Sequence, residues 1–152
     1  MGLTPANTEG FAFIALDRNE SLLDWLQPLA SYNMSGVVIP TPIAGDLPFL
    51  VDTGITYMIL WLDADDAPTL WQSGLALPAG VSINVSAPAA DSGDAPALQY
   101  SFVTGEPGPP IAPTHVEWRI GNGLNTGVHA LANDDYLYDA TVGRIGFRTR
   151  PE

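Results

Sequence analysis

The chain has 152 residues, a formal net charge of −12 at pH 7 and no cysteine. A surface this acidic repels phosphate, which disfavours nucleic acid and anionic membranes as partners. The absence of cysteine excludes disulfides, thiol catalysis and cysteine-based zinc sites, but it leaves the compartment open, a secreted or periplasmic location included.

The hydrophobic content of 46% is sufficient for one domain, residues 1–152, with its own core. No basic segment followed by an apolar run opens the sequence, so no signal peptide is expected, and no apolar stretch is long enough to cross a bilayer. The acidity suits work at low pH, where protonation of carboxylates reduces self-repulsion. The alternative is that the charge only keeps the protein in solution.

Proline and glycine divide the sequence into short apolar runs, which predicts many short strands and no helix longer than about three turns. In chain order, strands are predicted at residues 11–16, 35–39, 49–51, 57–62, 81–85, 98–103, 116–120, 136–139 and 145–147. Pro40 and Pro42 are expected to end the second strand. The strands at 81–85 and 98–103 are predicted to form a long-tipped hairpin, and the last two a closing hairpin. Short helical segments are predicted at 21–29, 68–75 and 129–135.

The most informative turn is Asp52-Thr53-Gly54, which lies between two apolar runs. Phe49-Leu50-Val51 leads into the turn, and Tyr57 to Leu62 leaves it. The chain is thus predicted to carry a carboxylate out of the core and then to return. A buried carboxylate costs free energy unless it is hydrogen-bonded or paired, so fold stability alone does not require an acid there. Asp52 is therefore the candidate catalytic residue, and an exposed aspartate in an ordinary β-turn is the alternative.

Other segments accompany this turn in a recognisable order. Residues 23–29 and 34–39 precede it, and Gly127 near the end is followed by Tyr136-Leu137-Tyr138-Asp139 and then by Gly143-Arg144-Ile145-Gly146-Phe147. Together with the hydrophobic-hydrophobic-Asp-Thr-Gly run, this order resembles the C-terminal lobe of the pepsin-like aspartic peptidases. The resemblance covers about residues 20–148, and a retropepsin-like single lobe is a further possibility.

The resemblance implies an all-β, acid-protease-like lobe with a strongly curved antiparallel sheet or barrel, a crossed (psi) loop and one or two short helices. It implies that Asp52 is one of two aspartates that hold the attacking water, and that the Thr53 hydroxyl is buried against a second such loop. Gly54 would allow the tight turn beside the carboxylate. Gly127 would lie against the loop from a neighbouring strand, and the hairpin at 81–103 would cover the cleft. No cofactor and no metal are implied.

Hydrolysis of this kind needs two carboxylates that share one proton, as in aspartic proteases generally. The sequence offers one convincing copy, because Asp91-Ser92-Gly93 follows no buried strand and is typical of a turn. The second aspartate is expected from another lobe or from a homodimer partner. The expected function is that of an aspartic endopeptidase lobe acting on a peptide or protein substrate.

Two departures favour the alternative of a non-catalytic peptide-binding or structural lobe. Ile55 occupies the position where related lobes usually place a Ser or Thr whose hydroxyl bonds the carboxylate. Asn125 and Thr126, before Gly127, occupy positions where apolar residues are usual. All three residues belong to the active-site loop and its neighbour, so the fold can be kept while catalysis is lost.

The remaining polar clusters favour structural roles. The acidic runs at 63–66 and 134–135 lack the glycine and distal glutamate of an EF-hand loop, so solvated loops are expected there. His115 and His129 have no partner at ligand spacing and no strong serine motif nearby. The four tryptophans are expected in the core or along cleft walls, with a sugar-binding stack as the alternative; they are Trp25, Trp61, Trp71 and Trp118.

Overall fold

The structure is a computed structural model that describes residues 3–36, 39–65, 76–105 and 108–151. Within these ranges the chain is mostly β, which confirms the predicted all-β class. The strands are β1 (Ala12–Ala15), β2 (Arg18–Asn19), β3 (Asp24–Trp25), β4 (Leu29–Gly36), β5 (Ile39–Leu50), β6 (Met58–Leu62), β7 (Val81–Ala87), β8 (Leu98–Val103), β9 (Val116–Ile120), β10 (Gly123–Asn125), β11 (Asp134–Asp139) and β12 (Arg144–Thr149). One short helix, α1 (Pro5–Thr8), and two 3-10 turns, Ala90–Ser92 and Val128–Leu131, accompany them.

The strands form one large sheet, one small sheet and a ribbon. Seven strands in the order β8-β7-β4-β5-β10-β6-β9 curl into a half-barrel, β1-β12-β11 form the small sheet, and β2 pairs with β3. The large sheet is mixed, since β10 runs parallel to β5 and β9 runs parallel to β6. The predicted curvature is therefore confirmed, while the pairing is not antiparallel throughout. Among the described residues, no helix is both long and apolar enough to span a membrane.

The prediction of one strand over residues 35–39 is wrong, because its two ends belong to different, antiparallel strands. β4 ends at Gly36 and β5 begins at Ile39, and these two residues pair with each other. Pro40 and Pro42 do not end a strand, because β5 continues through both to Leu50. Among the described residues, β5 pairs with β10 only at Phe49 and Leu50, so most of the side of β5 that faces away from β4 has no ladder there that a missing N–H would interrupt.

Both predicted hairpins are present. β7 pairs antiparallel with β8, and β11 pairs antiparallel with β12. The described contacts of the first hairpin's tip are with β4: the amide of Ala89 donates to the Leu29 carbonyl, and the amide of Ala90 donates to the Ser31 hydroxyl. The cleft-covering role of this hairpin stays a prediction.

The helix predicted at 21–29 is absent. The Asn19 side-chain oxygen accepts hydrogen bonds from the amides of Ser21 and Leu22, at 3.0 Å each, which closes a turn between β2 and β3. The helix predicted at 129–135 is reduced to the 3-10 turn Val128–Leu131, and Asp134 and Asp135 belong to β11. The helical segment predicted at 68–75 lies wholly outside the described residues.

The crossed loop is formed by β10, which lies between β5 and β6 although its residues follow theirs by more than sixty positions. The chain leaves β5, makes the Asp-Thr-Gly turn and returns as β6. The Thr126 amide then donates to the Leu50 carbonyl at 3.0 Å, and the Val128 amide donates to the Ile55 carbonyl at 2.9 Å. The turn is thereby attached on both of its sides to the segment that directly follows β10.

Buried apolar side chains of the two sheets form one core. It includes Phe49 on β5, Leu60 on β6, Leu124 on β10 and Phe147 on β12. Phe49 and Phe147 lie 6.2 Å apart between ring centroids, so the strand that leads into the turn packs directly on the small sheet.

We expect Gly127→Ala to destabilise the fold more than the same change at Gly93, a glycine with a similar φ in open space. Gly127 has φ +64, and a Cβ there would collide with the Tyr57 carbonyl oxygen and lie 3.0 Å from that of Ile55. The expected loss is about 2–4 kcal/mol of unfolding free energy, measured by urea denaturation. Gly93→Ala is the matched control, because Gly93 has φ +79 with nothing within 4 Å of a Cβ, and about 1 kcal/mol is expected. Equal losses in both variants would contradict the close contact at Gly127.

Candidate active-site turn

The structure places Asp52 at the surface, directly after β5. Thr53 and Gly54 are exposed, and Asp52 is half-buried. The prediction that this turn lies beside the strand ending near Gly127 is confirmed, since Asp52 and Asn125 are hydrogen-bonded at 3.0 Å. The catalytic role of Asp52 is a separate matter and stays a prediction.

Both oxygens of the Asp52 carboxylate accept a hydrogen bond. Oδ1 accepts from the Gly54 amide at 2.8 Å, and Oδ2 accepts from Asn125 Nδ2 at 3.0 Å. The first bond is the local closure expected of aspartate in a tight turn. The second joins residues 73 positions apart in the sequence, so it exists only because the crossed loop brings β10 to the turn.

Asn125 is a buried side chain, only 5% exposed, and both ends of its amide are satisfied. Its Oδ1 accepts from the Gly127 amide at 3.0 Å, while its Nδ2 donates to Asp52. Because a backbone N–H can only donate, the bond to Gly127 fixes the amide with its nitrogen toward the carboxylate. The aspartate is therefore held by a side chain that is itself held.

These bonds favour the ionised carboxylate. The Asn125 amide, and after it the Gly54 amide, hold the pKa of Asp52 below its ordinary value, against a smaller opposing effect of burial. No charged side chain of the described residues contributes to this shift. Since the folded pKa is depressed, the ionised form stabilises the fold above the ordinary pKa of aspartate. That contribution is lost as the pH falls through the folded value.

The other residues predicted for the active-site loop lie near Asp52 in the structure, but they differ in their contacts and exposure. A Cβ on Gly54 would lie 3.1 Å from Asp52 Oδ1, so glycine keeps the turn open for the carboxylate. The Ile55 side chain cannot donate a hydrogen bond, but its carbonyl ties the turn to Val128. Gly127 lies against the turn as expected. Thr53 is exposed, so in this chain alone its hydroxyl is not buried against a second loop.

An open groove of about 270 Å³ begins at the strand that carries the turn. Its walls include Leu50 and Val51 before Asp52, Trp25 and Leu26 from the β2–β3 ribbon, and Tyr138 of β11. Leu26, Leu50 and Tyr138 are 46%, 42% and 49% exposed. The groove thus offers apolar contact area beside the residues that lead into the turn, although Asp52 itself does not line it.

The other candidate residues have local structural roles. Asp91-Ser92-Gly93 lies at a 3-10 turn in the hairpin tip, outside any strand. The His115 ring stacks on Tyr57 at 4.8 Å, and His129 Nδ1 lies 2.7 Å from the Pro110 carbonyl oxygen. Asp139, the acid of the closing hairpin, is buried and pairs with Arg144 at 3.1 Å. Among the residues placed by the structure, no three histidines or acids are close enough together to hold a metal ion.

Sequence reasoning missed the contribution of Asn125, which it treated only as a departure from an apolar pattern. Two features of the sequence could have pointed to it: Asn125 is a polar residue at a position expected to be buried, and Ile55 lacks the hydroxyl that would otherwise bond the carboxylate. Positions 55 and 125 are 70 residues apart, and their relation becomes visible only through the register of β10 against β5.

No protein-family model matches the chain, and comparisons with curated proteins and with solved structures gave no match either.

Proposed function

We propose that this chain is one lobe of an aspartic-type endopeptidase, with Asp52 as one of two catalytic carboxylates. The observation that carries the proposal is the setting of Asp52. It is a surface carboxylate held at both oxygens by uncharged donors, one of them reached across 73 residues of sequence. An ordinary turn aspartate needs only the local bond from Gly54, so the bond from Asn125 indicates a carboxylate whose orientation matters.

The chemistry requires a second carboxyl group close to Asp52. The ionised Asp52 accepts a proton from water while the water oxygen attacks the peptide carbonyl carbon, and the protonated partner donates its proton to the carbonyl oxygen. Collapse of the tetrahedral intermediate breaks the C–N bond as a proton passes to the leaving nitrogen. Two carboxyls at this distance titrate as a unit, and the shared proton survives on the acid side of neutrality.

The second carboxyl is proposed to come from another lobe or from a second copy of the chain. Among the described residues, the crossed loop holds one aspartate, Asp52. The exposed Thr53 and the apolar walls around Leu50 are the kinds of surface that a partner lobe or a bound peptide would cover. The cleft would then form between the two lobes, with a peptide or protein substrate in it.

The alternative is a non-catalytic lobe that binds peptides. The observation in its favour is that the groove at Leu50 and Val51 is formed by this chain alone, whereas the proposed carboxylate pair needs a second lobe. Under this alternative the lobe binds apolar peptide side chains as a monomer, and the Asp52 charge has no catalytic consequence.

We expect the monomeric chain to cleave no unfolded protein substrate between about pH 3 and pH 7, since one carboxylate cannot be both base and acid. Cleavage should appear after dimerisation or addition of a partner lobe, should be greatest at acid pH, and should vanish in Asp52→Asn. Asp94→Asn, which removes the same charge from an exposed position at the hairpin tip, is the control and should leave activity unchanged. Cleavage by a monomer proven by sedimentation, or cleavage that persists in Asp52→Asn, would sink the two-aspartate proposal.

Peptide binding separates the two functions. If the groove binds peptides, Leu26→Asp should weaken binding of an apolar peptide by about tenfold, because it places a charge on an apolar wall. Ile120→Asp is the matched control, since Ile120 is an exposed apolar residue that does not line the groove. Fluorescence anisotropy of a labelled peptide measures both. Tight binding by the monomer, with no cleavage by any assembled form, would favour the binding lobe.

A further inference from the structure

We propose that Asn125 is a positioning residue for Asp52, whose amide fixes the orientation of the carboxylate and keeps it as the ionised base of the catalytic pair. The inference rests on the proposed function for its catalytic meaning. The claim that Asn125 holds the Asp52 carboxylate rests on hydrogen bonds within this chain, and it can be tested without a cleavage assay.

The first step of the argument concerns the two faces of the Asn125 amide. One face donates to Asp52 Oδ2 at 3.0 Å, and the other accepts from the Gly127 amide at 3.0 Å. Gly127 lies between two residues whose amides are bonded to the turn and its leading strand: Thr126 donates to the Leu50 carbonyl and Val128 donates to the Ile55 carbonyl. The carboxylate is thus connected through a single buried side chain to backbone that is held on both sides.

The second step concerns what else the turn provides. Ile55 has no side-chain donor, and in the part of the chain that the structure describes the Thr53 hydroxyl donates no hydrogen bond to the carboxylate. Within that part of the chain, Asn125 is the only side chain that donates to Asp52. Removal of the Asn125 amide would leave Asp52 with its local bond from Gly54 alone, so that the carboxylate could turn more easily about its Cβ–Cγ bond.

The third step concerns charge. Asn125 is neutral, so it stabilises the carboxylate without forming an ion pair that would neutralise it. An arginine or lysine there would favour the ionised form more strongly, but it would also bring a positive charge to the place where the partner carboxyl must keep its proton. An amide donor supplies the hydrogen bond alone, which suits a base that acts beside an acid.

The test is an NMR titration of the Asp52 carboxyl carbon in the isolated chain, with its signal assigned by loss in Asp52→Asn. Asn125→Asp keeps the shape and the acceptor for the Gly127 amide but replaces the donor with a second carboxyl. Asn125→Asp should raise the pH midpoint of the Asp52 titration by about one unit or more. Asn125→Leu removes both hydrogen bonds and should also move the step upward.

Thr126→Val is the matched control. Thr126 is the next residue, is as buried as Asn125, and donates through its hydroxyl toward the Leu50 and Gly127 carbonyls without contacting Asp52. Its variant should leave the Asp52 step within about 0.3 pH units of the wild type. An equal shift in Thr126→Val, or no shift in either folded Asn125 variant, would overturn the proposal.

The wild-type chain gives a result even if no Asn125 variant folds. Asp52 should titrate below the ordinary aspartate range, and titration at or above that range would overturn the proposal. In an assembled enzyme the acid limb of the kcat/KM profile should move to higher pH in Asn125→Leu, because the base is protonated sooner. Failure of that enzyme to cleave anything would count against the proposed function but not against the NMR result.

Discussion

The insertion of β10 between β5 and β6 is the constraint on which the site depends. β5 and β6 are joined by the Asp-Thr-Gly turn, and without β10 they would splay apart with unpaired backbone on their facing edges. β10 pairs with the last two residues of β5 and with three residues of β6, and through Asn125 it also reaches the Asp52 carboxylate. One three-residue strand therefore closes the sheet and orients the candidate catalytic group.

This arrangement explains how a polar residue is tolerated in an otherwise apolar strand. A buried amide with an unmade hydrogen bond would cost about 1–3 kcal/mol. Asn125 avoids that cost because both of its ends are bonded, to Asp52 and to the Gly127 amide. The neighbouring Leu124 packs into the core, so β10 contributes to the core with one side chain and to the site with the next.

The sequence predicted the elements whose signals are local. Alternating or continuous apolar residues indicated β6 to β9 and the closing hairpin, and the Asp-Thr-Gly turn was predicted at the position where the structure has it. The errors had two causes. Pro40 and Pro42 are accepted in β5 because, among the described residues, most of the side of β5 that faces away from β4 forms no ladder, which a local rule for proline does not foresee. The helix predicted at 21–29 failed for a local reason, because the Asn19 side chain accepts from the Ser21 and Leu22 amides and closes a turn.

The site could be predicted only in part, for the same reason. Asp52 and Gly127 carry recognisable local patterns, and their proximity followed from the expected crossed loop. The bond from Asn125 depends on the register that sets Asn125 opposite Leu50 across the parallel pair β5–β10. A one-residue slip would turn that side chain to the other face of the sheet, and no local pattern in the sequence encodes the register.

The net charge of the chain bears on the proposed pairing with a second lobe. Two copies of this chain would bring together twice −12, a formal charge of −24, so pairing of identical lobes is opposed at neutral pH. Protonation of carboxylates at acid pH reduces this repulsion over the range in which two aspartates can share a proton. A fall in pH would then favour both the pairing of the lobes and the protonation state that catalysis needs. A less acidic, non-identical lobe would relieve the repulsion at any pH and would leave only the shared proton to set the pH dependence.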